Sequence, residues 1–139
     1  MTPPEAPVQG QMGRGTESPP AVSVCLVLAK RADFLRAAQA LRQGTPGFLL
    51  QARERRAEEA EPGAIRIGYT CSRKLGNAVA RNRAKRRLRE IARAVLPAHG
   101  RPGWDYVLVG RPGATATRDF VEMKADLVRA LGRIHAGRT

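Results

Sequence analysis

Apolar residues recur along this chain with two different spacings, and each spacing predicts one kind of secondary structure. Residues 30–42 carry apolar side chains at helical spacing, and Gly44 follows as an end signal. Residues 119–135 repeat the helical spacing over a longer stretch. The two apolar sets are Phe34, Leu35, Ala38 and Leu41, and Phe120, Met123, Leu127, Leu131 and Ile134. Both segments are therefore predicted to be amphipathic helices.

Two other segments alternate between apolar and polar residues, which predicts strands at residues 48–55 and 64–72. Their apolar faces carry Phe48, Leu50 and Ala52 on the first strand, and Ile65, Ile67, Tyr69 and Cys71 on the second. Their opposite faces carry Leu49, Gln51 and Arg53, and Arg66, Gly68, Thr70 and Ser72. The last of these sets is small and polar, so another backbone could approach it closely. Residues 104–111 predict a third strand.

Turn residues punctuate these elements. Thr45-Pro46-Gly47 predicts a turn before the first strand. The charged residues 54–63 end in Pro62-Gly63, which predicts a hairpin loop between the first two strands. The apolar run at residues 21–28 is too short for its spacing to decide between a strand and the approach to a helix.

The most basic stretch of the chain is predicted to be a further amphipathic helix. Residues 73–93 hold nine Lys or Arg residues against one acid, Glu90. Asn77 is placed as the N-cap, and Pro97 is expected to stop the helix. The apolar stripe is Ala80, Ala84, Leu88, Ile91 and Val95, and Asn82, Arg86, Arg89 and Arg93 lie opposite it. The predicted order is α, β, β, α, β, α, so the class is α+β with a small sheet backed by helices.

The charge on this helix points to a polyanionic partner. Arg81, Lys85 and Arg89 stack like charges four residues apart, which costs a few tenths of a kcal/mol per pair in water. A nucleic acid laid along this face would turn the repulsion into attraction and release counterions. The alternative is a solvated charged face, but such faces normally mix both signs and this one hardly does.

Overall composition narrows the class of partner further. The chain has 139 residues and a formal net charge of +13, which favours one domain and steers the chain toward phosphate polymers. Residues 1–20, rich in Pro, Gly and small polar residues, predict a disordered tail before a domain at residues 21–139. Nucleic acid therefore outranks acidic proteins and small substrates as the partner.

The sequence lacks the residues that several classes of function require. Cys25 and Cys71 are too few for a structural zinc site and are expected to be reduced thiols in a cytoplasmic protein. No segment is predicted to enter a membrane. His99 and His135 are predicted to be surface residues without a partner for general-base work. The acids Asp33, Asp105, Asp119 and Asp126 are isolated, so neither a catalytic constellation nor a metal site is predicted in this chain.

One motif resembles a known family. The sequence GNAVARNRAKRRLRE, preceded by residues 72–75, closely resembles the signature of the protein subunit of bacterial ribonuclease P, with its Arg-Asn-Arg core in a basic helix. Residues 30–34, 48–51 and 104–109 resemble the start of that family's first helix, its first strand and its last strand. The resemblance covers about residues 30–135.

The resemblance implies a fold and an activity. The fold would be like ribosomal protein S5 domain 2, with a left-handed crossover between parallel strands around the basic helix. The activity would be endonucleolytic removal of the 5′ leader of precursor tRNA, which leaves a 5′ phosphate on the mature end. Catalysis would belong to a large RNA subunit, and Mg²⁺ would be held mainly by that RNA and the substrate. The implied partners are the catalytic RNA and precursor tRNA, with no membrane and no protein partner required.

The resemblance also implies two sets of binding residues. Contacts with the RNA subunit would come from Arg73, Lys74, Asn77, Arg81, Asn82, Arg83, Lys85, Arg86 and Arg89. Arg81 and Arg83 are about 200° apart on a helix, so they are expected to touch separate phosphates. A cleft for the single-stranded leader would be lined by Phe34, Leu49, Gln51, Thr70 and Ser72. Ala38 stands where the family often has a second aromatic residue. Taken alone, Phe34 is more typical of a core residue, and the resemblance makes the cleft an equal alternative.

Other functions are open on composition alone. A ribosomal or other structured-RNA-binding protein without a part in cleavage would carry a similar charge and helix. A DNA-binding protein is disfavoured because recognition helices carry fewer charges and no turn motif is present. A helix lying on a membrane surface is disfavoured because the apolar stripe is largely Ala.

Overall fold

The computed structural model describes residues 25–56, 58–59, 61 and 63–136, so the tail predicted at residues 1–20 lies outside the described residues. The strands are β1 Cys25–Val27, β2 Leu41–Gly44, β3 Phe48–Glu54, β4 Ile65–Thr70 and β5 Trp104–Gly110. The helices are α1 Arg31–Gln39, α2 Ala78–His99, α3 Ala114–Thr117 and α4 Phe120–His135. A 3₁₀ turn at Arg73–Leu75 precedes α2. The α+β class is confirmed.

The sheet has five strands in the order β1-β4-β5-β3-β2. β4 is parallel to β1 and to β5, and β3 is antiparallel to β5 and to β2. The hairpin predicted between the first two strands is wrong, because β5 lies between β3 and β4. The long charged connection leaves room for a third strand to enter, whereas a short loop would have forced pairing. The parallel pair β4 and β5 is joined through α2.

The sequence predicts the kind of each element more accurately than the residues at which the element ends. The helix predicted over residues 30–42 ends at Gln39, because Leu41 and its neighbours pair with β3 as strand β2. The apolar run at residues 21–28, whose spacing does not decide between a strand and the approach to a helix, contains strand β1, which is parallel to β4. The turn at Thr45 is confirmed, and it closes the β2–β3 hairpin with the Thr45 hydroxyl donating to the Phe48 carbonyl at 2.7 Å.

The prediction that Pro97 stops the basic helix is wrong. It lies inside α2, which continues to His99. A proline near a helix end removes a single backbone donor, and the turn closes beyond it where the Gly100 N–H donates to the Leu96 carbonyl at 2.8 Å. His99 is therefore in the last turn of the helix, where it is exposed as predicted.

The two faces of the sheet are covered differently. α2 and α4 pack on one face and form the main core with the apolar sides of β3, β4 and β5. α1 lies on the other face, where a smaller cluster joins Ala37, Leu28 and Val107 to the partly buried Phe34 and Val109. The alternation read from β3 is confirmed, because Phe48, Leu50 and Ala52 are fully buried in the main core.

His135 belongs to the core, which contradicts its prediction as a surface residue. Its side chain is 7% exposed, and Nε2 lies 2.7 Å from the Tyr106 hydroxyl. The Trp104 ring meets it edge-on at 4.5 Å between ring centroids. The last turn of α4 carries His135 onto β5, a contact between distant parts of the sequence that no local pattern reveals. Burial raises the pKa of Tyr106 well above its usual range.

Candidate nucleic-acid interface

The basic helix α2 has the N-terminal cap and the buried face that its sequence predicts. The Asn77 side chain accepts a hydrogen bond from the Ala80 N–H at 2.9 Å, so it caps the helix as predicted. Gly76, with φ at +127°, turns the chain from the 3₁₀ turn into this cap in a conformation that other residues rarely adopt. Of the predicted apolar stripe, Ala80 is half-buried and the rest is buried, namely Ala84, Leu88, Ile91 and Val95. One face of α2 is thereby fixed to the core.

The opposite face is cationic and lacks acidic partners. Asn82, Arg86, Arg89 and Arg93 are exposed, as the helical pattern predicted. Within the part of the chain that the structure describes, none of the nine cations in residues 73–93 lies within 4.0 Å of an acidic oxygen. By contrast, arginines elsewhere are paired with acids, including Arg53, Arg55, Arg66 and Arg118. The interface therefore concentrates uncompensated positive charge.

Individual side chains on α2 point in different directions. Arg81 is half-buried and donates to the Gly76 carbonyl at 3.1 Å, beside the 3₁₀ turn. Arg83 is exposed on the α3 side of the helix. Arg89 places its guanidinium 5.6 Å from the centre of the Tyr69 ring. Arg81 and Arg83 thus lie on separate flanks, which is the arrangement expected for contacts with separate phosphates.

The remaining residues assigned to this interface lie around the start of α2. Arg73 and Lys74 are exposed in the 3₁₀ turn, and Lys85 is half-buried one turn beyond Arg81. Asn77 has its side-chain oxygen engaged in the cap, so its amide group is the part left to contact a ligand. The predicted residues thus lie on α2 and in the 3₁₀ turn before it, on more than one flank of the helix, and their role in RNA binding stays a prediction.

Arg87, which was not assigned to the interface, has a structural role. Its guanidinium donates to the carbonyls of Thr115, at 2.9 Å, and of Arg118, and lies 5.9 Å from the Phe120 ring centre. It therefore ties α2 to the segment around α3. No local signal separates Arg87 from its neighbours, because all are arginines on one helix.

The cleft that the resemblance implies would lie between α1 and the sheet, where Phe34 is half-buried. Phe34 packs its ring on Gly68, where an added Cβ would lie 2.5 Å from Cε1 of the ring. The close approach predicted at the small face of β4 is thus made by an aromatic side chain and not by backbone. Phe34 is partly buried against Val107, so it is a core contact, and its role in a leader cleft stays a prediction.

The strand register arranges the cleft floor in rows across β4, β5 and β3. One row is Thr70, Val109 and Leu49, the next is Gly68, Val107 and Gln51, and the last is Arg66, Asp105 and Arg53. α1 covers the middle row, where Gln51 is 9% exposed. Ser72 lies beyond β4 and accepts from the Lys74 N–H at 3.3 Å. The open floor is therefore the first row, and the basic 3₁₀ turn follows directly after it.

The far end of the cleft is closed by a buried ionic cluster. Asp105 has no exposed surface and accepts from Arg55 at 2.5 Å and from Arg66 at 2.8 Å through two nitrogens. Arg66 also lies 3.5 Å from Asp33 of α1, so it joins that helix to the sheet. The hydrogen bond with Asp105 raises the pKa of Arg66. The sequence predicts Asp33 and Asp105 to be isolated acids, and this is wrong because the fold brings both to the Arg66 guanidinium.

The charged segment after β3 folds back onto that end. Glu59 accepts from Arg53 through both oxygens, at 3.1 Å and 2.7 Å, and also from the Arg56 N–H at 3.0 Å. These bonds lower the pKa of Glu59 to about 2. The Arg53 cation is thereby neutralised and differs from the cations of α2.

Glu59→Gln is expected to remove a small, pH-dependent part of the stability. Because the folded pKa of about 2 lies below the usual value of 4.5, the carboxylate contributes stability above pH 4.5 and loses it as the pH falls toward 2. The pair is partly exposed, so the contribution is below about 1 kcal/mol. Urea unfolding of both proteins between pH 2 and pH 7 should show curves that differ at pH 7 and converge near pH 2. An offset that stays constant over this range, or an equal effect of the neighbouring Glu58→Gln, would contradict the assignment.

Residues 25–56, 58–59, 61 and 63–136 lack the features of a membrane span and of a metal site. None of the helices there is long and apolar enough to cross a membrane. The same residues contain no group of three or more His, Cys, Asp or Glu side chains that could hold a metal ion. Cys25 and Cys71 are not joined in a disulfide, and burial raises the pKa of both thiols.

Comparison with protein families and with curated proteins identifies relatives of this chain. The family model Ribonuclease P matches residues 23–135. The ribonuclease P protein component of Ruegeria pomeroyi is 63% identical over 123 residues, which covers 85% of this chain and 97% of the relative. The ribonuclease P protein component of Paramagnetospirillum magneticum is 46% identical over 110 residues, covering 78% of this chain and 82% of the relative.

Solved structures give the same match. The RNase P protein from Thermotoga maritima superposes with a TM-score of 0.62 at 28% identity, over 77% of this chain and 96% of that chain. The RNase P protein of Staphylococcus aureus superposes with a TM-score of 0.60 at 26% identity, over 77% of this chain and 93% of that chain.

Proposed function

Because this chain belongs to the ribonuclease P protein family, we propose that α2 binds the RNA subunit of that ribonuclease and that the α1 cleft binds the 5′ leader of precursor tRNA. The chain is the protein component of a ribonuclease that works as a ribonucleoprotein. Within that ribonucleoprotein, which we place in the cytoplasm, this chain would bind RNA and the RNA subunit would cleave the precursor.

One observation carries the proposal: the cations of α2 have no acidic partners within the described residues, whereas those at the far end of the cleft do. Arg87 is held by backbone carbonyls, but the exposed like charges on the same helix repel one another. Phosphates supply the missing partners, and each phosphate neutralised also releases counterions. Arg81 and Arg83 lie on opposite flanks of the helix, so they suit a broad grip on several phosphates and not a single deep pocket.

The cleft suits a single strand of nucleic acid. Phe34 presents an aromatic ring beside the open row of Thr70, Val109 and Leu49. An unpaired base can stack on such a ring with little dependence on its identity. A strand lying on this row would run toward Arg73 and Lys74, so the cleft and the basic helix can hold two parts of one RNA assembly.

Bond cleavage is assigned to the RNA subunit in this proposal. Among the described acids, Asp105 and Asp33 are engaged by Arg66, and Asp126 is engaged by Arg118 and Arg129. These carboxylates are therefore committed to guanidinium groups and do not fit a magnesium site. We propose that Mg²⁺ is held by the RNA subunit and the substrate, and that this chain positions the leader and strengthens assembly.

Reconstitution tests the proposal directly. The purified chain should increase leader removal by a candidate RNA subunit at low magnesium. Cleavage of precursor tRNA by the chain in the absence of RNA would overturn the division of labour. Copurification of ribosomal RNA instead of a long catalytic RNA would favour the alternative of a ribosomal-type binding protein.

Replacement of Arg81 and Arg83 together by Ala is expected to weaken assembly with the RNA subunit and to flatten its salt dependence. Each lost phosphate contact removes about one unit from the slope of log affinity against log salt, so the expected change is about two units. The measurement is binding of the RNA subunit across a salt series. Arg42 and Arg133, exposed on β2 and α4, provide a matched pair whose replacement removes the same charge. Equal slopes for wild type and the Arg81/Arg83 variant would contradict the assignment.

A further inference from the structure

A groove of about 420 Å³ lies between the start of α2 and the segment that joins β5 to α3. Its apolar lining comes from Leu75, Val79, Ala80 and Ala116. Two arginines, Arg83 and Arg111, also line it. We call it the Ala116 groove. It lies on the Arg83 flank of the basic helix, away from the α1 cleft.

An apolar lining is out of place in a surface that only grips phosphates. Val79 is 76% exposed, although it is a large hydrophobic side chain in the first turn of the basic helix. Phosphate contacts would be served as well by a polar residue there. The exposed Val79 and the small residues Ala80 and Ala116 instead provide a shallow apolar surface between cations, which suits a flat, largely apolar group attached to an anionic chain.

The charges around the groove select the same kind of ligand. The described lining residues include two arginines and no acid. The Arg111 side chain extends from the groove toward Gly44, where an added Cβ would lie 3.0 Å from Nη2. An RNA nucleotide combines a planar base with a phosphate on each side, and unpaired bases are commonly held by apolar and guanidinium surfaces.

We propose that the Ala116 groove binds an unpaired nucleobase of the RNA subunit, while Arg83 neutralises a flanking phosphate. This rests on the proposed function of α2 and adds to it a contact with a base. The groove would make the assembly sensitive to the shape of the RNA, because only an unstacked base can enter it. Arg83 would then contribute both charge and placement.

Ala116→Leu tests the proposal by filling the groove from α3 without changing a charge. Binding of the RNA subunit, without precursor, is expected to weaken about tenfold. The slope of log affinity against log salt should stay that of wild type, because a base contact releases no counterions. Val79→Ser, on an exposed side chain of similar helix propensity, should give a smaller loss, also with an unchanged slope.

Val121→Ser is the matched control, since Val121 is 67% exposed on α4 and away from the groove. Chemical probing of unpaired bases should show one site in the RNA that wild type protects and Ala116→Leu leaves reactive. Wild-type affinity in both groove variants, a lowered slope, or a loss seen only when precursor is present would overturn the proposal. Failure of the wild-type chain to bind the RNA at all would instead overturn the proposed function.

Discussion

Replacing Asp105 with Ala is expected to destabilise the folded chain by about 3 to 5 kcal/mol, because it leaves buried guanidinium groups without their carboxylate. Asp105 and the Arg55 side chain have no exposed surface, and Arg66 is also largely covered. Arg55 donates as well to the carbonyls of Trp104 and Ala64, so it cannot turn away to solvent without breaking backbone contacts. The charge would stay buried and uncompensated.

Urea unfolding measures this loss, and an exposed ion pair provides the comparison. Glu122 is 61% exposed and pairs with Arg118, so Glu122→Gln is expected to cost less than about 1 kcal/mol. In the double variant Asp105→Ala, Arg55→Met, part of the stability should return, because the unpaired cation is removed with its partner. Equal stability of Asp105→Ala and Glu122→Gln would show that the cluster is not the buried network described here.

Phe34→Ala is expected to weaken binding of precursor tRNA to the holoenzyme by about 1 to 3 kcal/mol, or roughly 5- to 150-fold, while mature tRNA binds as before. The physical reason is that only the precursor has a leader that can stack in the cleft. Gly68→Ala should act in the same direction, because its Cβ would meet the Phe34 ring at 2.5 Å and displace it.

Leu35→Ala is the matched control for this variant. Leu35 follows Phe34 on α1 and is 49% exposed, so its loss leaves the cleft unchanged. Thermal melting of each variant reports whether the fold survives. Equal losses for precursor and mature tRNA, or unfolding of Phe34→Ala alone, would return Phe34 to a purely structural role in the small core beneath α1.

The features that could be predicted from the sequence are those set by neighbouring residues. The cap at Asn77, the buried stripe that includes Leu88 and the opposite exposed Arg86 all follow from helical spacing and are confirmed. Strand alternation predicts that Leu49 and Thr70 lie opposite the apolar faces of their strands, and the register brings both into one row across the sheet.

The features that could not be predicted depend on pairing between distant segments. Nothing near β3 or β4 indicates that β5 separates them, so their connection resembles a hairpin loop. Arg66 reaches Asp105, 39 residues later in the chain, and His135 reaches Tyr106 across 29 residues. Leu41 fitted the helical period of α1, yet backbone pairing with Ala52 outweighed that preference.

The central position of β5 has a consequence for biosynthesis. Until residues 104–110 have left the ribosome, the available strand pairs are β1 with β4 and β2 with β3, and isolated two-stranded sheets are marginal in water. The nascent chain therefore exposes its completed basic segment before its globule can close. Cooperative folding has to wait for the last strand, so a chain that terminates before Trp104 could form only two separate strand pairs.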